Sequence, residues 1–338
     1  MAVIALSTVG ASDSGDLAGY LTTEQGELLD LLRALGHHLV EPSSSVATHY
    51  VALDHNSASL RAISGVVPRR NRQLVVFEPR VVIPANYQPR IHKKYGSVIS
   101  MTPELVPAGT PVLPWPQRDW RSRPAGVAER VTGSTALINA NKISLISGSL
   151  YGLRRKVIEA FDHEGVALTL AGSQWARRGR ALALVNLKAL AYAAINRERI
   201  DVREWARPLP LGGSVQNVGI VSDKESLLLA SEFAVVIENT AGYVSEKLFD
   251  AVFAGCVPLY VGPPLHEVNI PDEVAVQLGR SARPIDFIDA VRLLSADRKS
   301  AILEAGQAWL RDDDTHARWA MHNALERLTA AIDNNIAE

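Results

Sequence analysis

Residues 233–262, FAVVIENTAGYVSEKLFDAVFAGCVPLYVG, constrain the fold of this chain more than any other stretch. The apolar run 233–237 leads into Glu238-Asn239-Thr240, and a second apolar run, 257–261, follows Gly255-Cys256. Short apolar runs without polar alternation suit strands buried on both faces. Between them, Ser245-Glu246-Lys247 opens a segment with apolar residues at helical spacing. A strand–helix–strand unit of this kind requires a parallel sheet covered by helices. Its polar residues gather at the carboxyl end of the first strand and the amino end of the helix. Open α/β sheets bind nucleotides at that edge.

The helix can be read almost residue by residue. Ser245 suits the N-cap, and Val244 and Phe249 occupy the hydrophobic-staple positions. Val244, Leu248, Ala251 and Val252 form a buried stripe, and Gly255 suits the left-handed position after the last turn. Glu246 is favoured in a first turn by the helix dipole alone, so its presence has an ordinary explanation beside a functional one. Lys247 is different, because a cation there is disfavoured unless an anion lies nearby.

The order of strand, Glu-Asn-Thr, Tyr-Val-Ser-Glu-Lys, helix, Ala-Gly-x-Val-Pro, strand and glycine resembles the donor-site signature of the α-1,3/1,4-fucosyltransferase family. The matching residues are Glu238, Asn239, Thr240, Tyr243, Val244, Ser245, Glu246, Lys247, Ala254, Gly255, Val257, Pro258 and Gly262. The loop between Asn239 and Tyr243 is shorter than the family pattern.

Composition is compatible with such an enzyme and excludes other classes. The 338 residues are enough for two domains, with 47% hydrophobic and 21% charged residues. A net charge of −1 gives no basic footprint for nucleic acid. The single cysteine, Cys256, sits in an apolar segment and reads as a small buried hydrophobe. With no pair for an internal disulfide, and no signal-peptide pattern at the amino terminus, a cytoplasmic location is expected, with at most peripheral contact with the inner membrane.

The amino-terminal half reads as a first α/β domain. Strands are expected at 2–6, 49–53 and 74–77, helices near 24–35 and 57–64, and a Gly/Ser loop at 7–15. No Gly-x-Gly-x-x-Gly follows the first strand, which disfavours a dinucleotide-dependent dehydrogenase. His37, His38 and His49 lack metal-ligand spacing and read as surface or loop residues. Glu78 directly follows the apolar run 74–77 and precedes Pro79, so it stands where a buried strand opens into a rigid loop. A carboxylate there can bond backbone amides or Arg80. The resemblance implies another role, since the family carries its general base at a comparable strand end, in a Gly-Glu-Asn context that Phe77-Glu78-Pro79 does not reproduce.

A Pro/Arg/Trp-rich linker, 103–130, follows. It includes Arg123 and Pro124, and its Trp115 and Trp120 could stack on acceptor sugars or simply pack the linker against a domain. The second half begins with an expected strand at 143–146, a Ser147-Gly148-Ser149 turn and a helix over 152–161. A small-residue loop feeding a helix can cradle phosphate, and arginine suits bidentate phosphate recognition. Lys142, Ser147 and Arg154 also resemble, in order and spacing, the family's other donor motif. Arg155 and Lys156 read as a solvated helix face. Residues 175–213 are a more individual insertion with a basic helix start and a Pro-Leu-Pro-Leu-Gly-Gly break. Helical stretches at 285–294, 299–310 and 319–332 finish the chain, and Asp312-Asp313-Asp314 between them reads as a turn and cap, not a metal site.

These observations lead to an α/β protein of the GT-B type, with two Rossmann-like domains whose parallel sheets face across a cleft. The expected division is 1–135 for the acceptor side, 136–300 for the donor side and 301–338 for terminal helices. The resemblance implies inverting transfer of L-fucose from GDP-fucose to a hydroxyl of a glycan or glycolipid acceptor, with no metal or other cofactor. It makes Glu78 the base and Arg154 and Lys247 the diphosphate clamp. Glu246 receives the ribose hydroxyls, Asn239 and Tyr243 orient the nucleotide or sugar, and Glu238, Ser147 and Lys142 complete the donor set. Two alternatives stay open: a related transferase using another nucleotide sugar, and a non-catalytic glycan- or nucleotide-binding protein on the same scaffold.

Overall fold

The computed structural model describes residues 1–8, 23–102, 108–121, 130–209 and 211–337. Most of the loop at 7–15, the linker segments 103–107 and 122–129 with Arg123 and Pro124, and Pro210 of the proline–glycine break lie outside the described residues. Two compact units emerge, Met1–Asp119 with His316–Glu338, and Trp120–Thr315.

The first unit is a five-stranded parallel sheet of β1 (Val3–Thr8), β2 (His38–Val40), β3 (His49–Leu53), β4 (Arg72–Val76) and β5 (Ser97–Ser100), in the order β2-β1-β3-β4-β5. Its helices before the second unit are α1 (Thr23–Ala34), α2 (Ser57–Ile63) and the short α3 (Pro89–His92). Side chains alternate between two cores. Val51, Leu53, Val75 and Phe77 face α1, while Tyr50, Ala52, Leu74 and Val76 face Leu60, Ile63 and Tyr95. Helical cover on both faces is why 74–77 shows no polar alternation.

The second unit contains β6 (Val131–Ile138), α4 (Tyr151–His163), β7 (Leu168–Ala171), α5 (Gly179–Ile195), β8 (Val215–Gly219), α6 (Lys224–Leu229), β9 (Ser231–Ile237), α7 (Glu246–Phe253), β10 (Val257–Val261), β11 (Val276–Gln277), α8 (Pro284–Leu293) and α9 (Ala296–Arg311). Its sheet is parallel, in the order β11-β10-β9-β6-β7-β8. The chain then passes through α10 (Asp313–Trp319) to α11 (Met321–Ala337), whose Leu325, Leu328 and Ile332 join the core of the first sheet on the α1 side.

Each sheet reverses its winding once, between β1 and β3 in the first unit and between β6 and β9 in the second. Crevices outside the carboxyl ends of strands at such reversals are where open α/β sheets hold ligands. Among the described residues, no helix is long and apolar enough to cross a membrane.

Several expectations differ from the structure. Residues 143–146 are not a strand, and their one bridge pairs Ile146 with Ile200. The strand at that place is β6, earlier in the chain, and the second compact unit spans Trp120–Thr315. His37 is buried, with its ring against Ala2 N and Asp333 Oδ1. Arg155 is also buried, donating to Asn141 Oδ1 and the Arg207 carbonyl, which removes it from a solvated face. Asp312 does act as a cap, its carboxylate accepting from Thr315 N and Oγ1. Cys256 is buried, its thiol lies 3.1 Å from the Leu228 carbonyl, and burial pushes its pKa up to about 11.

Candidate functional site

The carboxyl end of β9, beside the winding reversal of the second sheet, gathers most of the donor-type residues. Helix α7 begins where its sequence dictates: Ser245 is the N-cap and its hydroxyl accepts from Lys247 N. Val244 and Phe249 are buried at the staple positions, and Gly255 takes φ +68° after the last turn. Gly262, after β10, is required for space, because a Cβ there would run into the Tyr260 hydroxyl and approach Glu238 Cγ to 3.1 Å.

The two segments that resemble donor motifs are joined here. An antiparallel bridge pairs Ser149 with Thr240, and Leu150 N donates to the Asn239 carbonyl at 3.0 Å. From the first turn of α4, the Arg154 guanidinium reaches across to β9. Its Nε and Nη2 donate to the Ile237 carbonyl at 3.0 and 2.5 Å, and Nη2 also donates to Asn239 Oδ1 at 3.0 Å. Asn239 Nδ2 donates to Tyr243 Oη at 2.9 Å, and the Tyr151 ring lies 4.9 Å from the guanidinium carbon. Burial lowers the Arg154 pKa, against the pull of Tyr151, Glu238, Tyr243 and Glu246, but a guanidinium stays charged.

Glu238 is fully buried and accepts from Ser245 N at 2.9 Å and Ser245 Oγ at 2.7 Å. Lys247 Nζ lies 3.7 Å from Glu238 Oε2 and 3.5 Å from Glu246 Oε1, and donates to Ser245 Oγ at 2.8 Å. The anion that a first-turn lysine calls for is thus present within the fold. Burial raises the Glu238 pKa against the opposing effects of Lys247 and Ser245. Burial also disfavours ionised Glu246, but Lys247, backbone amides and Lys224 outweigh it and hold that carboxyl low. The Tyr260 hydroxyl, buried beside Glu238, has no hydrogen-bond partner among the described residues. Two cations, two carboxylates and the phenols of Tyr243 and Tyr260 therefore meet at one strand end, a set able to bind hydroxyls and to take up phosphate charge.

The other second-unit candidates are placed differently. Ser147 is half-buried in the turn before α4, and its amide donates to the Arg199 carbonyl; Lys142 is exposed on the segment leading to it. Trp120 is buried, donating from Nε1 to the Leu310 carbonyl at 2.6 Å, with the Phe249 ring 5.6 Å away. It is committed to packing and offers no open face to a sugar. The insertion contributes Trp205, Arg203 and Arg207 to a cavity of about 330 Å³ beside Arg155 and Lys156 of α4.

In the first unit, Trp115 packs edge-on against Phe77 at 5.7 Å and joins the core on the α1 side. Glu78 is half-buried at the exit of β4. Beneath it lies a residue that the sequence reading overlooked. Asp54, directly after β3, is 3% exposed, and its Oδ1 accepts from Phe77 N at 2.8 Å, Glu78 N at 3.1 Å and Asn86 Nδ2 at 2.7 Å. Burial, with a contribution from the Glu78 charge and against its three donors, pushes the Asp54 pKa up to about 7. Neighbouring His55 is buried between Tyr95 Oη at 2.8 Å and Ser57 Oγ at 2.9 Å, and burial with the Lys94 charge lowers its pKa to about 4. The overlooked signal was a pair of neighbouring strand ends that both carry carboxylates, Leu53-Asp54 and Phe77-Glu78.

No family model and no curated protein sequence matches the chain. Solved structures do. The chain is similar to a glycosyltransferase from Rickettsia africae, with a TM-score of 0.55 and 11% identity over 99% of each chain. It is similar to HepE from Anabaena in complex with UDP and glucose, with a TM-score of 0.55 and 11% identity over 92% of this chain and 82% of that one. A UDP-forming α,α-trehalose-phosphate synthase from Burkholderia xenovorans gives a TM-score of 0.52 and 11% identity over 93% and 79%. At these identities the likeness is one of fold, and the fold is that of the GT-B glycosyltransferases, two Rossmann-like domains built on parallel sheets.

Proposed function

We propose that the protein is an inverting glycosyltransferase that moves L-fucose from GDP-fucose to a hydroxyl of a glycan or glycolipid acceptor. The observation that carries this reading is the joining of the two donor-type segments at the end of β9, through Arg154, Asn239 and Tyr243, beside the winding reversal. Arg154 and Lys247 stabilise the charge that develops on the departing diphosphate, an electrostatic effect worth several kcal/mol, on the order of 3 or more, in a water-poor site. Glu246, 43% exposed at the helix start, accepts hydrogen bonds from the ribose hydroxyls. Asn239 and Tyr243 fix the orientation of the nucleotide, with Glu238, Ser147 and Lys142 around them. Glu78 takes the acceptor proton as that oxygen attacks the anomeric carbon. No divalent metal enters this scheme.

Because GDP binding and fucosyl transfer are separable, the test has two stages. Calorimetry with GDP and UDP identifies the nucleotide, and a panel of nucleotide sugars with mass-spectrometric product analysis identifies the donor. Preference for GDP with a gain of one deoxyhexose on the acceptor supports the proposal. Transfer of a hexose from UDP-glucose instead favours a second reading, a transferase for another nucleotide sugar, which is motivated by the UDP-glucose complex of HepE. GDP binding without transfer to any acceptor leaves the non-catalytic alternative.

A further inference from the structure

We propose that Asp54 is a positioning residue for Glu78: its carboxylate anchors the turn that carries Glu78 out of β4, and its charge sets how firmly Glu78 holds a proton. The inference rests on the reading of Glu78 as the base. Asp54 lies at the carboxyl end of β3, beside the winding reversal of the first sheet, where a ligand crevice is expected. Its backbone takes φ +63°, in the left-handed region that aspartate tolerates better than most residues. That conformation aims the side chain under the next strand end, and three donors from Phe77, Glu78 and Asn86 converge on the single atom Oδ1.

Nothing about this convergence is slack. The Asn86 amide has its own orientation fixed, because its Oδ1 accepts from His55 N at 2.7 Å. Among the described residues, no hydrogen bond reaches Asp54 Oδ2. Among the described residues, the ionisable groups that meet the cluster are Glu78, Tyr87, whose hydroxyl donates to the Glu78 carbonyl, His92, whose ring meets the Asn86 carbonyl, and His55 with its neighbours Tyr95 and Lys94. Of these, Glu78 is the charge that acts on Asp54, and the repulsion is mutual. Two repelling carboxylates titrate as a pair, and each raises the proton affinity of the other.

In the proposed reaction the acceptor oxygen bonds to the anomeric carbon and its proton passes to the Glu78 carboxylate. The nucleoside diphosphate leaves with the electron pair of the broken bond. Asp54 takes no proton from the substrate. Above about pH 7, where Asp54 is ionised, its negative charge favours the proton on Glu78, which makes Glu78 the stronger base, and its hydrogen bonds keep the Glu78 backbone in place.

The convergence on one oxygen makes Asp54→Asn a clean probe. With the amide oxygen in place of Oδ1, all three donors keep their acceptor, and the NH₂ group takes the position of Oδ2, so mainly the charge is lost. The kcat/KM–pH profile should lose the rise through about pH 7 that ionisation of Asp54 imposes on Glu78. The donor KM should stay within about twofold, because this variant leaves the nucleotide site alone. A rise through about pH 7 that persists in a folded Asp54→Asn protein would overturn the proposal. Carboxyl ¹³C NMR titration of the wild-type protein and of Glu78→Gln needs neither turnover nor the Asp54 variant. Asp54 and Glu78 should titrate as a coupled pair, and Asp54 should titrate lower in Glu78→Gln. Independent single-site curves would refute the coupling even if Asp54→Asn fails to fold. Coupled titration in a protein that transfers no sugar would instead count against the proposed function alone.

Discussion

Asn239 serves Arg154 and Tyr243 at once, accepting from the guanidinium Nη2 at 3.0 Å through Oδ1 and donating to the phenol at 2.9 Å through Nδ2. A side-chain amide carries a separate acceptor and donor, so one residue can serve both partners. A sequence element at the end of β9 is thereby tied to another that lies about eighty residues earlier, at the start of α4.

Replacing Arg154 by alanine leaves the Ile237 carbonyl and Asn239 Oδ1 buried without their donor. The expected cost is about 2–4 kcal/mol of stability, together with a loss of GDP affinity of about tenfold or more. Asn239→Asp should keep the bond from Arg154 and reverse the other, because a carboxylate cannot donate to Tyr243 and must instead accept from its hydroxyl. Thermal unfolding and calorimetry on both variants separate the structural loss from the ligand loss. Unchanged GDP affinity in Arg154→Ala would remove it from the phosphate site.

Glu238 has a folded-state pKa raised by burial, so its contribution to stability is fully present below the ordinary carboxylate range and falls as pH rises through the folded value. Lys247 opposes that rise. Lys247→Met should therefore steepen the loss of stability with increasing pH, and Glu238→Gln should flatten it. Urea unfolding between about pH 4 and 8 reads both slopes, and identical slopes in the two variants would contradict the pairing at 3.7 Å.

Asp54 and His55 pull stability in opposite directions across the same acid range. With its pKa raised to about 7, Asp54 stabilises the fold below its unfolded value, and that contribution is lost as pH rises to about 7. With its pKa lowered to about 4, His55 stabilises the fold above its unfolded value near 6.5, and that contribution is lost as pH falls to about 4. The two trends offset each other in the wild-type protein. Asp54→Asn should expose the histidine trend, with an acid-induced loss on the order of 3 kcal/mol at most. A double variant that also carries His55→Gln should lose that slope.

Transfer activity should survive thorough chelation, because the proposed diphosphate stabilisation comes from Arg154 and Lys247. A complete loss that Mn²⁺ restores would sink this part of the scheme.

What could be read from the sequence followed burial. Strands β4, β9 and β10 are covered on both faces, so their apolar runs stood out, and α7 carries its own boundary signals in Ser245 and Gly255. Strand β6 escaped notice although it lies at the centre of its sheet, because its first half, Val-Thr-Gly-Ser, is exposed or only half-buried. Strand β8 is mostly exposed and only five residues long, which leaves no periodicity to read. Asp54 was missed for a different reason: a run of Asp-His-Asn-Ser looks like a solvated loop, and only the tertiary fold places Phe77, Glu78 and Asn86 around its first residue. A first-turn lysine calls for a nearby anion, and Glu238, nine residues before Lys247, supplies one.

Helix α11 has a consequence for the living cell. Its Leu325, Leu328 and Ile332 pack into the core beneath β1 and β3, and the Ile332 carbonyl accepts from buried Gln73. During synthesis this helix leaves the ribosome only after all of the second unit, which is one uninterrupted stretch of chain. The second unit can therefore begin folding while the first waits for its last helix over the length of roughly two hundred further residues. That nascent sheet is the natural client for a chaperone, and truncation before α11 should yield an aggregating first unit beside a soundly folded second one.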